Sequence, residues 1–389
     1  MRHEKITGMP RVAIRLAAGL CALVLSGAAA ADDIDLFTGV QPNGGEPNLL
    51  LLLDNAGGWN ADASFTCPQA GVVLPINAGK SVGFEQCALH SAVNSIATQP
   101  TLLGKVRMGM MMFGTSTNNG AKFRYPATPP SPLPLMDANG ISAFQSVIRS
   151  IDRNVDGTGN AQVAGGMQEA WAFFSGNRGI SGTQYSTPIL DSCQRNFVIF
   201  LANATNSGKP NDSGQVAKVQ PLIDAGANTA QQKEIVISPN KYQSSWGDEW
   251  ARFMYQTDIL KNDANRQNII TYTIAVTDGS NPEYVRLVQS MATNGGGKSF
   301  VVQNGDVSGL ASALLQILNE VQAVNSVFAS VSLPVSVNSQ GTYLNQVYIG
   351  MFRPDATASP RWQGNLKQYK LGYDDRMSSC CRMPRTNLP

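Results

Sequence analysis

The sequence predicts an α/β fold: a doubly wound, mostly parallel sheet with helices on both faces, followed by a short, incomplete C-terminal β segment. Three observations lead there. Leu49 to Leu53 form an unbroken apolar run fenced by Pro47 and by Gly57-Gly58. The run is too short for a helix and lacks the alternation of a half-wet strand, so it is expected to be a strand buried on both faces. Similar segments then alternate with helical stretches, the pattern of βαβ crossovers. After about residue 325 the pattern turns to β-prone segments alone.

The strands expected after the first are Val106 to Phe113, Phe197 to Ala202, Ile269 to Val276 and Ser299 to Val302. The helices between them are expected over Cys87 to Ala97, Ile141 to Ile151, Ala161 to Phe174, Asn281 to Ala292 and Val307 to Val321. Met108, Met110, Met111 and Met112 lie on the second strand. Copper sites usually add His or Cys, and neither is near, so these methionines are expected to fill the core.

Two insertions interrupt the alternation. Residues 115–140 contain seven prolines or glycines and one candidate edge strand, Phe123-Arg124-Tyr125. Residues 203–267 are polar at first. They then place Trp246, Trp250 and Phe253 on one helical face, expected to pack on the sheet domain rather than stand exposed as a binding surface. The domain with its insertions spans 46–325. Residues 327–372 hold β-prone Val327 to Val337 and strands at Tyr343 to Arg353 and around Trp362 to Leu371. A pair of strands is marginal alone in water, so this looks like the opening of a β domain. Residues 373–389 are a polar tail.

Residues 1–31 have the form of a secretory signal. Arg2, Lys5, Arg11 and Arg15 precede an apolar stretch, Leu16 to Leu25, and small residues Ala28 to Ala31. No other segment approaches about 18 uninterrupted apolar residues, so no transmembrane segment is expected after signal removal. The full chain carries 29 basic and 27 acidic residues. Because the signal takes away more basic than acidic groups, the remainder is nearly neutral and has no basic run. Nucleic acid is not an expected partner.

Histidine narrows the chemistry further. His3 leaves with the signal, so His90 is the only histidine in the processed chain. His-rich zinc sites are excluded, and a Ser-His-Asp or Cys-His enzyme would have to use His90 as its base. Its place on a predicted helix near Cys87 favours a surface or structural role. Among the cysteines, Cys67 and Cys87 bracket a loop containing Gly and Pro and form the natural disulfide pair. Closing such a loop contributes roughly 3 kcal/mol in the chain-entropy description. Cys193 has no obvious partner, and the adjacent Cys380 and Cys381 sit in the tail.

In an open parallel sheet, ligands gather at the carboxyl ends of strands. Asp54 follows the first strand, where its carboxylate is expected to face the crevice. A negative charge in that turn, with the wrong glycine spacing, argues against dinucleotide binding. Two apparent phosphate loops fail as well. Gly297-Lys298-Ser299 has Ala292, and Gly79-Lys80-Ser81 has Leu74, where the motif needs its first glycine.

Asp54-Asn55-Ala56-Gly57-Gly58 at a strand end resembles the start of the von Willebrand factor A metal motif, D-x-S-x-S. The resemblance extends over about 46–325, through Phe197 to Leu201 before Ala202-Asn203-Ala204, Thr271 to Val276, and Asn294 to Phe300. It implies a von Willebrand factor A-like domain with a Mg²⁺ site. Residue by residue, Asp54 takes the first aspartate position and Asn203 the second. Ala56 and Gly58 stand at the two serine positions. The threonine position falls at Ala161, with Thr158 close by. Alanine and glycine bring no side-chain oxygen, and Asn203 brings no charge, so Asp54 and Asn203 form a degenerate metal site, weak or vestigial. At most weak Mg²⁺ or Ca²⁺ binding is expected, and a cap on the following turn is the structural alternative for Asp54.

Longer words resemble a narrower family, the PilC/PilY group of type IV pilus tip adhesins and biogenesis factors. They are Pro47 to Asn55, Phe65-Thr66-Cys67 with Glu85 to Leu89, Ser332 to Asn338, Gly341 to Asp355, and Pro360 to Tyr369. The resemblance implies an exported protein of a Gram-negative bacterium, in the periplasm, on the outer surface or at the pilus tip. Its implied partners are minor pilins and the pilus machinery, and through them host or surface ligands. The family's calcium-bearing C-terminal β-propeller is absent from this sequence, so a truncated product or a fragment is expected. No nucleophile–base pair or cofactor loop is visible, and a non-enzymatic adhesin or assembly factor acting through protein contacts is the expected role. The alternative is an exported, metal-dependent ligand-binding A-domain module.

Overall fold

The computed structural model describes residues 45–114, 120–191, 194–206, 209–211, 219–261, 266–325, 328–330, 346–353 and 363–370, the last three stretches as backbone. The signal expected at 1–31, Cys193, Cys380, Cys381 and the tail at 373–389 lie outside the described residues, as do parts of both insertions and of the C-terminal β segment.

Six strands form one sheet. They are β1 (Asn48–Leu53), β2 (Arg107–Phe113), β3 (Ala121–Tyr125), β4 (Asn196–Ala204), β5 (Ile269–Thr277) and β6 (Gly296–Gln303), in the order β3-β2-β1-β4-β5-β6. All neighbours are parallel except β2 and β3, which pair antiparallel at the edge. The fold is therefore α/β and von Willebrand factor A-like, with the edge strand where the Phe123-Arg124-Tyr125 signal lies.

The leucine run explains the layering. Side chains along a strand alternate between faces, and every residue of β1 is buried. Leu49, Leu51 and Leu53 enter one core with Phe84, Phe144 and Leu314. Leu50 and Leu52 enter the other with Phe173, Trp250 and Leu287. The first core is covered by α1 (Ser81–Thr98), α2 (Ala138–Arg149) and α7 (Val307–Asn325). The second is covered by α3 (Val163–Ser175), α5 (Gly247–Gln256) and α6 (Pro282–Asn294). Met108, Met110 and Met112 fill the first core and Met111 the second, as expected of core fillers.

The insertion at 203–267 contributes a short α4 (Val219–Ala225), which sequence reasoning missed, and the aromatic-faced α5. Trp250 and Phe253 are fully buried and Trp246 nearly so. The Trp250 ring centroid lies 5.7 Å from that of Trp171 on α3. This face packs on the sheet domain.

One helix starts earlier than expected. The helix expected from Cys87 to Ala97 starts six residues earlier, α1 beginning at Ser81. Those six residues are buried. A Cβ on Gly83 would lie 2.2 Å from the Asn77 carbonyl oxygen, so only glycine lets the preceding turn lie against the helix. Cys67 and Cys87 form a disulfide, with Cα atoms 5.7 Å apart, anchoring the 61–80 loop to α1.

The C-terminal residues form a second sheet of three strands, not the pair expected from the sequence. β7 (Phe328–Ser330) pairs antiparallel with β8 (Gln346–Arg353), which pairs antiparallel with β9 (Gln363–Lys370). The short β-prone start at residue 328 supplies the additional strand.

Candidate strand-end site

Strand order reverses between β1 and β4. From β1 the chain runs outward to β2 and β3, then returns to the other side of β1. Loops leaving β1 and β4 diverge, which makes their shared end the switch point of the sheet. Asp54 and Asn203 sit there side by side. The Asp54 N–H donates to the Leu201 carbonyl at 2.9 Å, and the Asn203 N–H donates to Asp54 Oδ2 at 3.0 Å.

The Asp54 carboxylate does not face an open crevice, which corrects the expectation from strand polarity. Asp54 is 0% exposed. Its Oδ1 accepts from the Ala56 N–H at 3.0 Å, closing the turn after β1. Its Oδ2 accepts from the Asn203 N–H and from the Tyr284 hydroxyl at 2.8 Å. Tyr284 reaches in from the first turn of α6. Three donors on two oxygens compensate for lost water, the condition for keeping a buried carboxylate.

A second buried acid completes the cluster. Glu85 on α1 is 1% exposed. Its Oε2 accepts from Trp59 Nε1 at 2.9 Å, and its Oε1 accepts from Asn203 Nδ2. The same Asn203 Nδ2 donates to the Asp54 carbonyl at 3.2 Å. One amide thus bridges the backbone after β1 to a side chain on α1.

Burial governs the proton affinities here. It raises the Asp54 carboxyl to about 6, against the opposing pull of the Ala56 and Asn203 N–H groups and the Tyr284 hydroxyl. It raises Glu85 well above the ordinary carboxylate range, against the bonds from Trp59 and Asn203, and the nearby Asp54 charge adds to the rise.

Of the remaining positions of the resemblance, Ala56 reaches Asp54 through its backbone N–H and brings no side-chain oxygen. Ala161 is buried and forms a backbone bridge with Pro210. The Thr158 N–H donates to the Asn55 carbonyl at 2.8 Å. Asn55 itself clamps β2: its Nδ2 donates to the Phe113 carbonyl at 3.0 Å and its Oδ1 accepts from the Phe113 N–H at 2.9 Å. At Gly58, an added Cβ would meet the Asn203 Cβ at 2.7 Å and the Asn203 carbonyl oxygen at 2.9 Å. The second serine position is thus filled by the close approach of β4. Among the described residues, no group of three His, Cys, Asp or Glu side chains is placed to hold a metal ion.

Sequence reasoning missed Glu85, Tyr284 and Trp59. Glu85 lies within the Glu85 to Leu89 stretch that resembles the pilus family, but a glutamate on a helix ordinarily faces water. His90 has a structural role: its Nδ1 lies 2.7 Å from Gln69 Oε1, and its Nε2 lies 2.9 Å from Arg149 Nη1. Burial, then the Arg149 charge, lowers its proton affinity.

A separate acidic pair lies in α5. Asp248 and Glu249 are buried in its first turn. Asp248 Oδ2 accepts from the Ser290 hydroxyl at 2.6 Å, and Glu249 Oε1 accepts from the Ile235 N–H at 2.6 Å. Burial raises both carboxyls, and the negative charge of Asp248 raises Glu249 further.

The strand order, with its one antiparallel edge pair, gives the chain an A-like fold. No protein-family model matches the chain, and no curated protein sequence does. Solved structures similar to it include the PilB minor pilin from Streptococcus sanguinis, at 11% identity and TM-score 0.42 over 72% of this chain and 62% of that one. A von Willebrand factor type A protein from Catenulispora acidiphila aligns at 10% identity and TM-score 0.39, over 84% of this chain and 66% of that one. The vWF domain of the type V pili tip protein Mfa5 from Porphyromonas gingivalis aligns at 10% identity and TM-score 0.36, over 72% and 97%. The chain spans about three-fifths of the minor pilin it matches.

Proposed function

We propose that this chain is a non-enzymatic, type IV pilus-associated protein of the PilC/PilY kind, acting in adhesion or pilus assembly through protein contacts. The observation that carries this reading is the coincidence in one chain of an A-like sheet with the long words at Gly341 to Asp355 and Pro360 to Tyr369. The signal-like start at 1–31 supports export to the periplasm, outer surface or pilus tip. Minor pilins are the partners the resemblance implies, with 46–325 as the A-like domain and 327–372 as the start of a β domain. The strand-end carboxylates support a non-catalytic role, since their oxygens are occupied by fixed internal donors and both acids are shut off from solvent.

Shearing and sedimenting pili from cells that produce the chain tests this. The protein is expected in the pilus fraction, and to be lost from it in cells lacking minor pilins. Recovery in the cytoplasm alone would overturn the proposal.

A further inference from the structure

We infer that the strand-end site is cation-independent, because the carboxyl oxygens of Asp54 and Glu85 are already engaged by donors from Ala56, Asn203, Tyr284 and Trp59. A metal ion needs lone pairs directed at it. Mg²⁺ also demands near-octahedral oxygen ligation at roughly 2.0–2.1 Å and usually retains several waters. The two carboxylates at this site instead face hydrogen-bond donors. Asp54 Oδ1 accepts from Ala56, Asp54 Oδ2 from Asn203 and Tyr284, Glu85 Oε1 from Asn203, and Glu85 Oε2 from Trp59. Each N–H or O–H puts a partial positive charge where a cation would stand.

Space points the same way. Ala56 brings no oxygen, and Gly58 lies too close to Asn203 to carry even a Cβ without movement. Asp54, Glu85 and Asn203 are at most 1% exposed, so the site is closed to the solvent from which Mg²⁺ would keep its waters. Two neutral oxygens, Asn203 Oδ1 and Thr205 Oγ1, are buried without a hydrogen-bond partner. Two such atoms fall well short of a six-oxygen shell. The donors therefore do the electrostatic work of an ion. They tie the end of β1 to α1, β4 and α6, and Asp54 becomes an internal fastener. A partner of this domain would dock without a cation bridge to Asp54.

The test uses the full chain and does not depend on pilus association. Thermal unfolding is followed in EDTA and in millimolar Mg²⁺, Mn²⁺ or Ca²⁺, for the wild type, Tyr284→Phe and Asp54→Asn. The wild-type midpoint is expected to agree across all four conditions to within about 1 °C. Tyr284→Phe removes one donor and is expected to lower the midpoint by about 2–6 °C, equally with and without cations. A rise with Mg²⁺, Mn²⁺ or Ca²⁺ that disappears in Asp54→Asn would overturn the inference. So would a Tyr284→Phe deficit repaired by any of the three ions, and this second readout stands even if Asp54→Asn fails to fold.

Discussion

The Tyr284 hydroxyl donates to Asp54 Oδ2 at 2.8 Å, joining residues 230 positions apart in the chain. Asp54 is held from the sheet by the Asn203 N–H and from the helix layer by Tyr284. The position after the first strand therefore acts as a junction between layers.

Asn203 is the bridge within that junction. Asn203→Ala withdraws the donor serving Glu85 Oε1 and the Asp54 carbonyl and leaves a small void. Buried acceptors without partners are costly. A loss of about 2–4 kcal/mol in unfolding free energy is expected by urea denaturation, with an unchanged m-value.

Gly58→Ser returns a hydroxyl to one of the positions where the metal motif has serine. Its Cβ would meet the Asn203 Cβ at 2.7 Å and the Asn203 carbonyl oxygen at 2.9 Å. The expected outcome is destabilisation by about 1–3 kcal/mol from overpacking, with no gain of Mg²⁺ binding by calorimetry. A stabilised variant that evolves heat with Mg²⁺ would contradict this.

The buried pair in α5 predicts a pH dependence. Burial and the Asp248 charge raise the folded-state affinity of Glu249 for its proton. Between the ordinary carboxylate range and that raised value, the folded chain binds more protons than the unfolded one. Stability from this group is therefore full in acid and falls as pH climbs through neutrality. Glu249→Gln keeps an oxygen for the Ile235 N–H and can donate to Asp248. It is expected to match the wild type in acid and to exceed it by on the order of 1–3 kcal/mol at mildly alkaline pH. Melting curves across that range measure the difference.

The Cys67–Cys87 disulfide closes a short loop over α1. Replacing both cysteines with serine is expected to reduce stability by about 2–4 kcal/mol, read as a lower denaturant midpoint. Limited proteolysis is expected to open first within 68–80, where many residues are exposed.

The sheet was legible in the sequence because its central strands are buried on both sides and so lose alternation, as Leu49 to Leu53 and Phe197 to Leu201 show. The edge strand β3 was legible from three residues in a proline-rich stretch. The start of α1 was not, since its first turns are buried all round with Glu85 and Gln86 among them, and Gly83 is there for a tertiary contact. At the site, Asp54 and Asn203 could be paired in advance because each follows an apolar run in the order of the motif that the sequence resembles. Glu85 and Tyr284 could not. Their roles depend on helix placement across the sheet, and nothing local distinguishes Glu85 from a glutamate facing water.

The leucines of β1 project alternately into both cores, so the strand is a wall common to two rooms. Neither helical layer can be peeled away without exposing a strand that the other still needs. Loosening on one side should therefore spread to the other, and the amide protons of Leu50 to Leu52 should exchange with solvent only when the whole sheet opens. A six-residue segment is thus expected to make unfolding of the A-like domain a single event.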